Sequence, residues 1–172
     1  MGDDLFKNIT TFIFDIDGVL TDGAVLLLES GMQARRMSIK DGFALQLAVK
    51  TGYRVLAVSG SSPSPVIDRL NKLGIHEVHM SVLDKRSFVV SYIDKNKLKK
   101  EEILFMGDDL PDLPVMPVVG LASCPADAAP ELLEVVNYIS PVKGGLGCVR
   151  DVIEKVLRLN NHWHHRNDVA SH

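Results

Sequence analysis

Two clusters of aspartates, each placed where an apolar run gives way to glycine, carry most of the chemical potential of this sequence. The first is Asp15 and Asp17, in PheAspIleAspGlyValLeuThrAspGly (14 to 23); the second is Asp108, Asp109 and Asp112, in GlyAspAspLeuProAsp (107 to 112). Residues two apart on a strand share a face, so Asp15 and Asp17 crowd two negative charges together unless a cation or a shared proton relieves them. Oxygen-only ligand sets suit Mg²⁺. Taken singly, each cluster has a plainer account: AspGly marks a turn, and aspartate is favoured at helix starts. Neither account explains why two separate apolar runs both end in acid, whereas convergence on one metal does. Asp15 and Asp108 are then expected as carboxylate ligands, with Asp109 and Asp112 orienting them from behind.

Between the clusters lie groups that an anion would need. The run AlaValSerGlySer (57 to 61) ends a third apolar segment, where the Ser59 hydroxyl and the backbone at Gly60 are placed to donate to phosphoryl oxygens. SerGly is also a common turn. Lys85 opens a helix-like stretch, an end at which the helix dipole disfavours a cation, which leaves room for a functional lysine; taken alone, a solvated surface lysine is the plainer account.

These residues need a scaffold that brings separate segments together. Apolar runs at 10 to 14, 53 to 58, 77 to 80, 102 to 106 and 118 to 122 alternate with amphipathic stretches near 41 to 51, 65 to 73, 84 to 96 and 126 to 136. Short apolar strands alternating with helices imply a Rossmann-like parallel sheet flanked by helices, with ligands at the carboxyl ends of the strands. Residues 24 to 39 break the rhythm: AlaValLeuLeuLeu and GlnAlaArgArgMetSerIle flank GluSerGly and read as a β-hairpin leaving the sheet, an apolar projection expected to meet another subunit.

Bulk properties limit the partners. The 172 residues, 46% hydrophobic and 24% charged, fit one globular domain over 1–160, with a polar tail over 161–172 that holds four of the six histidines. The tail's histidine spacing matches no standard metal cluster, and a frayed or loosely docked segment is expected. A net charge of −3 attracts neither nucleic acid nor an anionic membrane, and no apolar run approaches the ~20 residues of a membrane span. The acidic start, MetGlyAspAsp, does not read as a signal peptide, so a cytoplasmic location is expected. Cys124 and Cys148 are expected to be reduced structural thiols.

In order, the motifs resemble those of the haloacid dehalogenase superfamily: Asp15 to Gly23 matches its first motif, Ser59 its second, Lys85 its third and Gly107 to Asp112 its fourth. The hairpin in place of a cap domain, with LysGlyGlyLeuGlyCysValArgAsp (143 to 151), further resembles the capless 3-deoxy-D-manno-octulosonate 8-phosphate phosphatases. The likeness spans about residues 8 to 158. It implies a Mg²⁺-dependent phosphatase in which Asp15 is phosphorylated, Asp17 acts as general acid and base, and Ser59 and Lys85 hold the phosphoryl group. The metal would bind Asp15, the backbone carbonyl of Asp17, and Asp108. It further implies a homotetramer in which Gly144, Gly145 and Gly147 close on a neighbouring subunit's site, and a role in lipopolysaccharide synthesis. One departure stands out: Ser61 occupies a position where that family usually has arginine, which removes a partner for a substrate carboxylate. Arg69 or Arg86 is expected to substitute, and a nine-carbon sialic-type acid phosphate competes with the eight-carbon substrate. A non-catalytic oligomerisation module and a response-regulator-like receiver are the rival classes. The module is disfavoured because every catalytic position is filled, the receiver because it has no use for AspXAspGly at the first strand end.

Overall fold

In the computed structural model, which describes residues 2–170, six short parallel strands form one sheet, and its four central strands are buried along most of their length. Helix α1 (Gly2–Lys7) leads into β1 (Thr11–Phe14). The hairpin strands β2 (Leu26–Leu27) and β3 (Gln33–Ala34) follow, then α2 (Ile39–Thr51), β4 (Arg54–Val58), α3 (Val66–Lys72), β5 (Glu77–His79) and α4 (Lys85–Asn96). The second half contributes β6 (Ile103–Met106), β7 (Leu121–Cys124), α5 (Pro130–Leu133), β8 (Tyr138–Ile139) and α6 (Cys148–Leu159). Strand order is β5-β4-β1-β6-β7-β8, so β1 lies between β4 and β6 with Phe14 level with both Ala57 and Met106.

Alternation along the strands fills two core layers. Phe12 and Phe14, with Val55, Ala57, Leu104 and Met106, pack under α2 and α6, while Ile13, Leu56, Val58 and Phe105 pack under α4 and the segment Leu110–Val118. The parallel α/β sheet expected from the apolar rhythm is what forms, with four differences. The run near 118 to 122 is displaced, and β7 begins at Leu121; the helix expected near 126 to 136 contracts to the single turn of α5. Residues Leu110–Val118 wind as a 3₁₀ helix, with Pro111, Pro114 and Pro117 at the three-residue period of that helix. Helix α6 was not anticipated, although Val149, Val152, Ile153, Val156 and Leu157 make one fully buried stripe on it.

The hairpin is sparse. Leu26 pairs with Ala34 and Leu27 with Gln33, and Thr21 bridges Met37 at its root. Its apolar side chains face outward: Leu26 is 63%, Leu27 72% and Met32 64% exposed. The tail after α6 runs back along α2. Trp163 meets Phe43 edge-on, His162 Nδ1 lies 2.8 Å from the Tyr53 hydroxyl, and Gln46 donates to the Ala170 carbonyl at 2.8 Å. Of the two expected states, frayed or loosely docked, the described part of the tail takes the docked one; Ser171 and His172 lie outside the described residues.

Candidate active site

Where β1 ends, the chain turns sharply. The Asp15 N–H continues the sheet ladder to the Met106 carbonyl at 3.0 Å, and the Thr21 N–H closes a wide turn onto the Ile16 carbonyl at 2.9 Å. Gly18, at φ +92°, lets the turn press against the end of β6: a Cβ there would stand 1.9 Å from Asp108 Oδ2. Only glycine allows that approach. The carboxylates of Asp15 and Asp108 thus come from adjacent strand tips, and ligand oxygens of Asp15, Asp108 and Asp112 lie within 4.8 Å of one another.

Lys85 is the counter-ion at this point. Its Nζ donates to Asp15 Oδ1 at 2.7 Å and to Asp112 Oδ1 at 2.6 Å, and all three side chains are under 10% exposed. The helix start that carries it is fixed by Asp84, whose Oδ1 accepts the Ser87 N–H at 2.9 Å. The second Asp112 oxygen accepts from the Asp108 N–H at 3.0 Å, so one side chain ties the β6 loop to Lys85. Asp109 is turned elsewhere: its Oδ1 caps the 3₁₀ helix at the Leu110 N–H, and it reaches Asp108 through charge alone.

Three carboxylates against one ammonium leave an excess of negative charge. Burial, then the neighbouring Asp112, push the Asp15 carboxyl up to about 6 despite Lys85. Burial, then Asp15 and Asp112, push Asp108 up to about 8. Burial alone would lower the Lys85 ammonium, but the two aspartates outweigh it and hold it raised. A compact set of oxygen donors that resist ionising together fits a hard divalent cation, which would relieve that cost.

The neighbouring strand tip supplies the anion-binding groups. The Ser59 N–H donates to the His79 carbonyl and the Val82 N–H to the Ser59 carbonyl, both at 2.9 Å, which fixes the loop against the end of β5. Ser59 Oγ accepts the Ser61 N–H at 3.0 Å, and Gly60, whose N–H has no partner among the described residues, lines the cleft. That cleft, about 420 Å³, is also walled by Asp15, Asp17, Ser59, Lys85, Asp108 and Asp112.

The structure therefore brings Asp15, Asp17, Ser59, Gly60, Lys85, Asp108, Asp109 and Asp112 to one cleft. Arg69 lines a separate cavity of about 390 Å³ beside the hairpin. Gly144 and Gly145 are behind the first loop instead: a Cβ on Gly144 would stand 1.8 Å from the Gly18 carbonyl oxygen, one on Gly145 2.3 Å from the Asp22 nitrogen. Within one chain they buttress the Gly18–Asp22 turn and do not line the cleft. Two partners of Asp17 were not anticipated. Arg35 Nε donates to Oδ1 and the Ser61 hydroxyl to Oδ2, each at 2.6 Å. Arg35 is eighteen positions from Asp17, and the only sequence signal for it was the ArgArg pair on the returning hairpin strand.

Known proteins resemble this chain in sequence and in fold. No family model matches the chain. It is 33% identical over 150 residues to the 3-deoxy-D-manno-octulosonate 8-phosphate phosphatase KdsC of Yersinia pestis, covering 87% of this chain and 80% of that one. The enzyme of the same name from Escherichia coli strain K12 is 32% identical over 151 residues, with 88% and 80% covered. Among solved structures, that of the Yersinia pestis phosphatase superposes with a TM-score of 0.90 at 30% identity, covering 94% of this chain and 87% of that one. The Moraxella catarrhalis phosphatase, solved with a magnesium ion, a phosphate ion and a KDO molecule, gives 0.89 at 29% identity, covering 93% and 92%.

Proposed function

The chain belongs to the 3-deoxy-D-manno-octulosonate 8-phosphate phosphatases of the haloacid dehalogenase superfamily, and from that premise we propose that it hydrolyses this eight-carbon keto-sugar acid phosphate through a phosphorylated Asp15, with Mg²⁺ as its metal. It is a phosphoric monoester hydrolase, as its named relatives are. The observation that carries the residue assignment is the Lys85 bridge between Asp15 and Asp112, set against Asp108 at the next strand tip.

In this reading an Asp15 oxygen attacks phosphorus in line and the bond to the sugar oxygen breaks. Asp17 gives that oxygen a proton, then takes one from the water that attacks the aspartyl-phosphate. Ser59, the Gly60 N–H and Lys85 hold the non-reacting phosphoryl oxygens. Asp15, the Asp17 carbonyl and Asp108 would hold Mg²⁺, which offsets charge on the transferring group when bound. Asp112 keeps Lys85 and the Asp108 loop in register, while Asp109 caps the segment that carries Asp112. Arg69, one cavity away, is proposed to contact the sugar portion of the substrate. Residues 1–160 act as one catalytic domain with 161–172 as its tail, in a cytoplasmic homotetramer serving lipopolysaccharide synthesis. The exposed hairpin leucines support the assembly, and Gly144 and Gly145 are proposed to serve a neighbouring subunit's site from behind the turn they support. Among the described residues no helix is long and apolar enough to cross a membrane.

Ser61 favours one alternative, the nine-carbon 2-keto-3-deoxy-nonulosonate 9-phosphate. Phosphate release measured with both esters and Mg²⁺ decides between them: the eight-carbon ester should give the higher kcat/KM, and a preference for the nine-carbon ester would replace the first reading with the second.

A further inference from the structure

Asp17 is held by two residues that the four motifs do not supply, and both stand where the cleft opens towards the hairpin. Its carboxylate is clamped between Arg35 Nε and the Ser61 hydroxyl, with the Arg35 side chain only 13% exposed. Ser61 walls both the acidic cleft and an adjoining cavity of about 410 Å³, whose other walls are Gln33, Arg35 and Ser62 to Pro65. Arg35 in turn walls the cavity that contains Arg69. The acidic cleft shares Ser61 with the adjoining cavity, and that cavity shares Gln33, Arg35, Ser64 and Pro65 with the one containing Arg69, so cavity walls run on from Asp17 along Arg35.

An ester whose phosphate sits at Lys85 and whose bridging oxygen sits at Asp17 can extend the rest of its leaving group along these walls. A carboxylate carried there would join a cleft already lined by Asp15, Asp108 and Asp109, and a cation beside it offsets that repulsion. A guanidinium offers five N–H donors in a planar fork, and among the described residues only Nε of Arg35 has a hydrogen-bond partner. The short Ser61 side chain occupies the position from which an arginine would otherwise project, and it points its hydroxyl at Asp17 instead.

We propose that Arg35 is the specificity residue by which this chain recognises a carboxylate on the leaving group, supplying from the hairpin the guanidinium that position 61 lacks. The proposal rests on the phosphatase reading above and deepens it by naming the group that selects the substrate.

The test compares kcat/KM for 3-deoxy-D-manno-octulosonate 8-phosphate with that for a neutral hexose 6-phosphate, in the full chain with Mg²⁺. Removing Arg35 also loosens Asp17, which should slow both esters alike, so the ratio isolates the carboxylate. Arg35→Ala should lower that ratio about 30-fold, mainly through KM of the sugar acid, the size expected for one lost charge-assisted pair. Arg35→Lys keeps the charge beside Asp17 without the fork and should lower it severalfold. Exchanging the two positions, Arg35→Ser with Ser61→Arg, should restore most of it. Equal losses on both esters, or an unchanged ratio in the alanine and lysine variants, would overturn the proposal and leave Arg35 as a positioning residue for Asp17. A wild-type chain that prefers the hexose phosphate would defeat the substrate class itself, and it is distinguishable because it appears before any substitution is made.

Discussion

The strand-tip cluster and the hairpin violate opposite rules of a stable monomer. At the strand tips, Asp15, Lys85 and Asp112 are charged groups placed where water is excluded, a location that costs free energy unless every partner is present. On the hairpin, Leu26, Leu27 and Met32 are apolar groups placed in water, where they contribute nothing to folding. Neither arrangement serves the stability of one isolated chain. On the proposed function each has a completing partner outside the chain: a cation and a phosphate in the first case, a second copy in the second. The two meet at Asp17, where the hairpin reaches in through Arg35.

The sharpest way to break this contrast is at its charged end. Asp15→Asn removes the proposed nucleophile and also one of the crowded charges. Phosphate release should fall about 10⁴-fold or more, while the Tm in metal-free buffer stays at or above that of the wild type. A variant that still turns over at a tenth of the normal rate would remove Asp15 from the reaction. Lys85→Met does the reverse, leaving Asp15 and Asp112 buried without their counter-ion. The expected loss is ~3–5 kcal/mol of stability, seen as a Tm lower by roughly 10 °C. An unchanged Tm would mean that the pair is compensated by solvent.

At the apolar end the effect is smaller and depends on concentration. Leu27→Asp places a charge on the most exposed hairpin leucine and forfeits up to ~2 kcal/mol of burial at each copy of an interface. Sedimentation should show the wild type as an oligomer and the variant shifted towards monomer, with the Tm of the monomer unaltered. Identical sedimentation of the two would separate the hairpin from assembly.

Asp41, in the first turn of α2, gives the smallest effect. Its Oδ1 accepts the Arg150 N–H at 2.7 Å at the start of α6, its Oδ2 is buried without a partner, and burial raises its carboxyl from 3.8 to about 6. Between about pH 4 and pH 6 the folded chain keeps a proton that the unfolded chain has lost. For this group, stability is therefore highest below pH 4, falls as pH rises through the window, and stays reduced above it. Asp41→Asn should flatten that portion of the Tm profile, and a profile with the wild-type slope would show that Asp41 does not titrate there.

What could be read from the residues alone divides along similar physical lines. Strands β1, β4 and β6 are legible because they are short, largely apolar and followed by polar residues, and the acids after β1 and β6 are legible for the same reason. The 3₁₀ segment Leu110–Val118 was not, because its prolines mimic a loop until their three-residue spacing is matched to that helix. Helix α6 follows directly on Gly144, Gly145 and Gly147, residues that locally read as a turn, so its start carries no side-chain cap to mark it. Arg35 was out of reach because its meeting with Asp17 depends on how the hairpin folds back, a long-range fact that no local pattern encodes. The register of Gly144 and Gly145 against the Gly18–Asp22 turn is of the same kind.

The placement of β1 at the centre of the sheet has a consequence for synthesis on the ribosome. Residues up to Lys99 can complete only β5, β4 and β1, leaving Thr11–Phe14 as a bare, apolar edge until β6 is delivered. A half-made chain thus exposes an aggregation-prone strand that the finished one hides. A cell that stalls translation between α4 and β6 would accumulate a sticky fragment, whereas one that passes that point quickly seals the edge with the same strand that delivers Asp108.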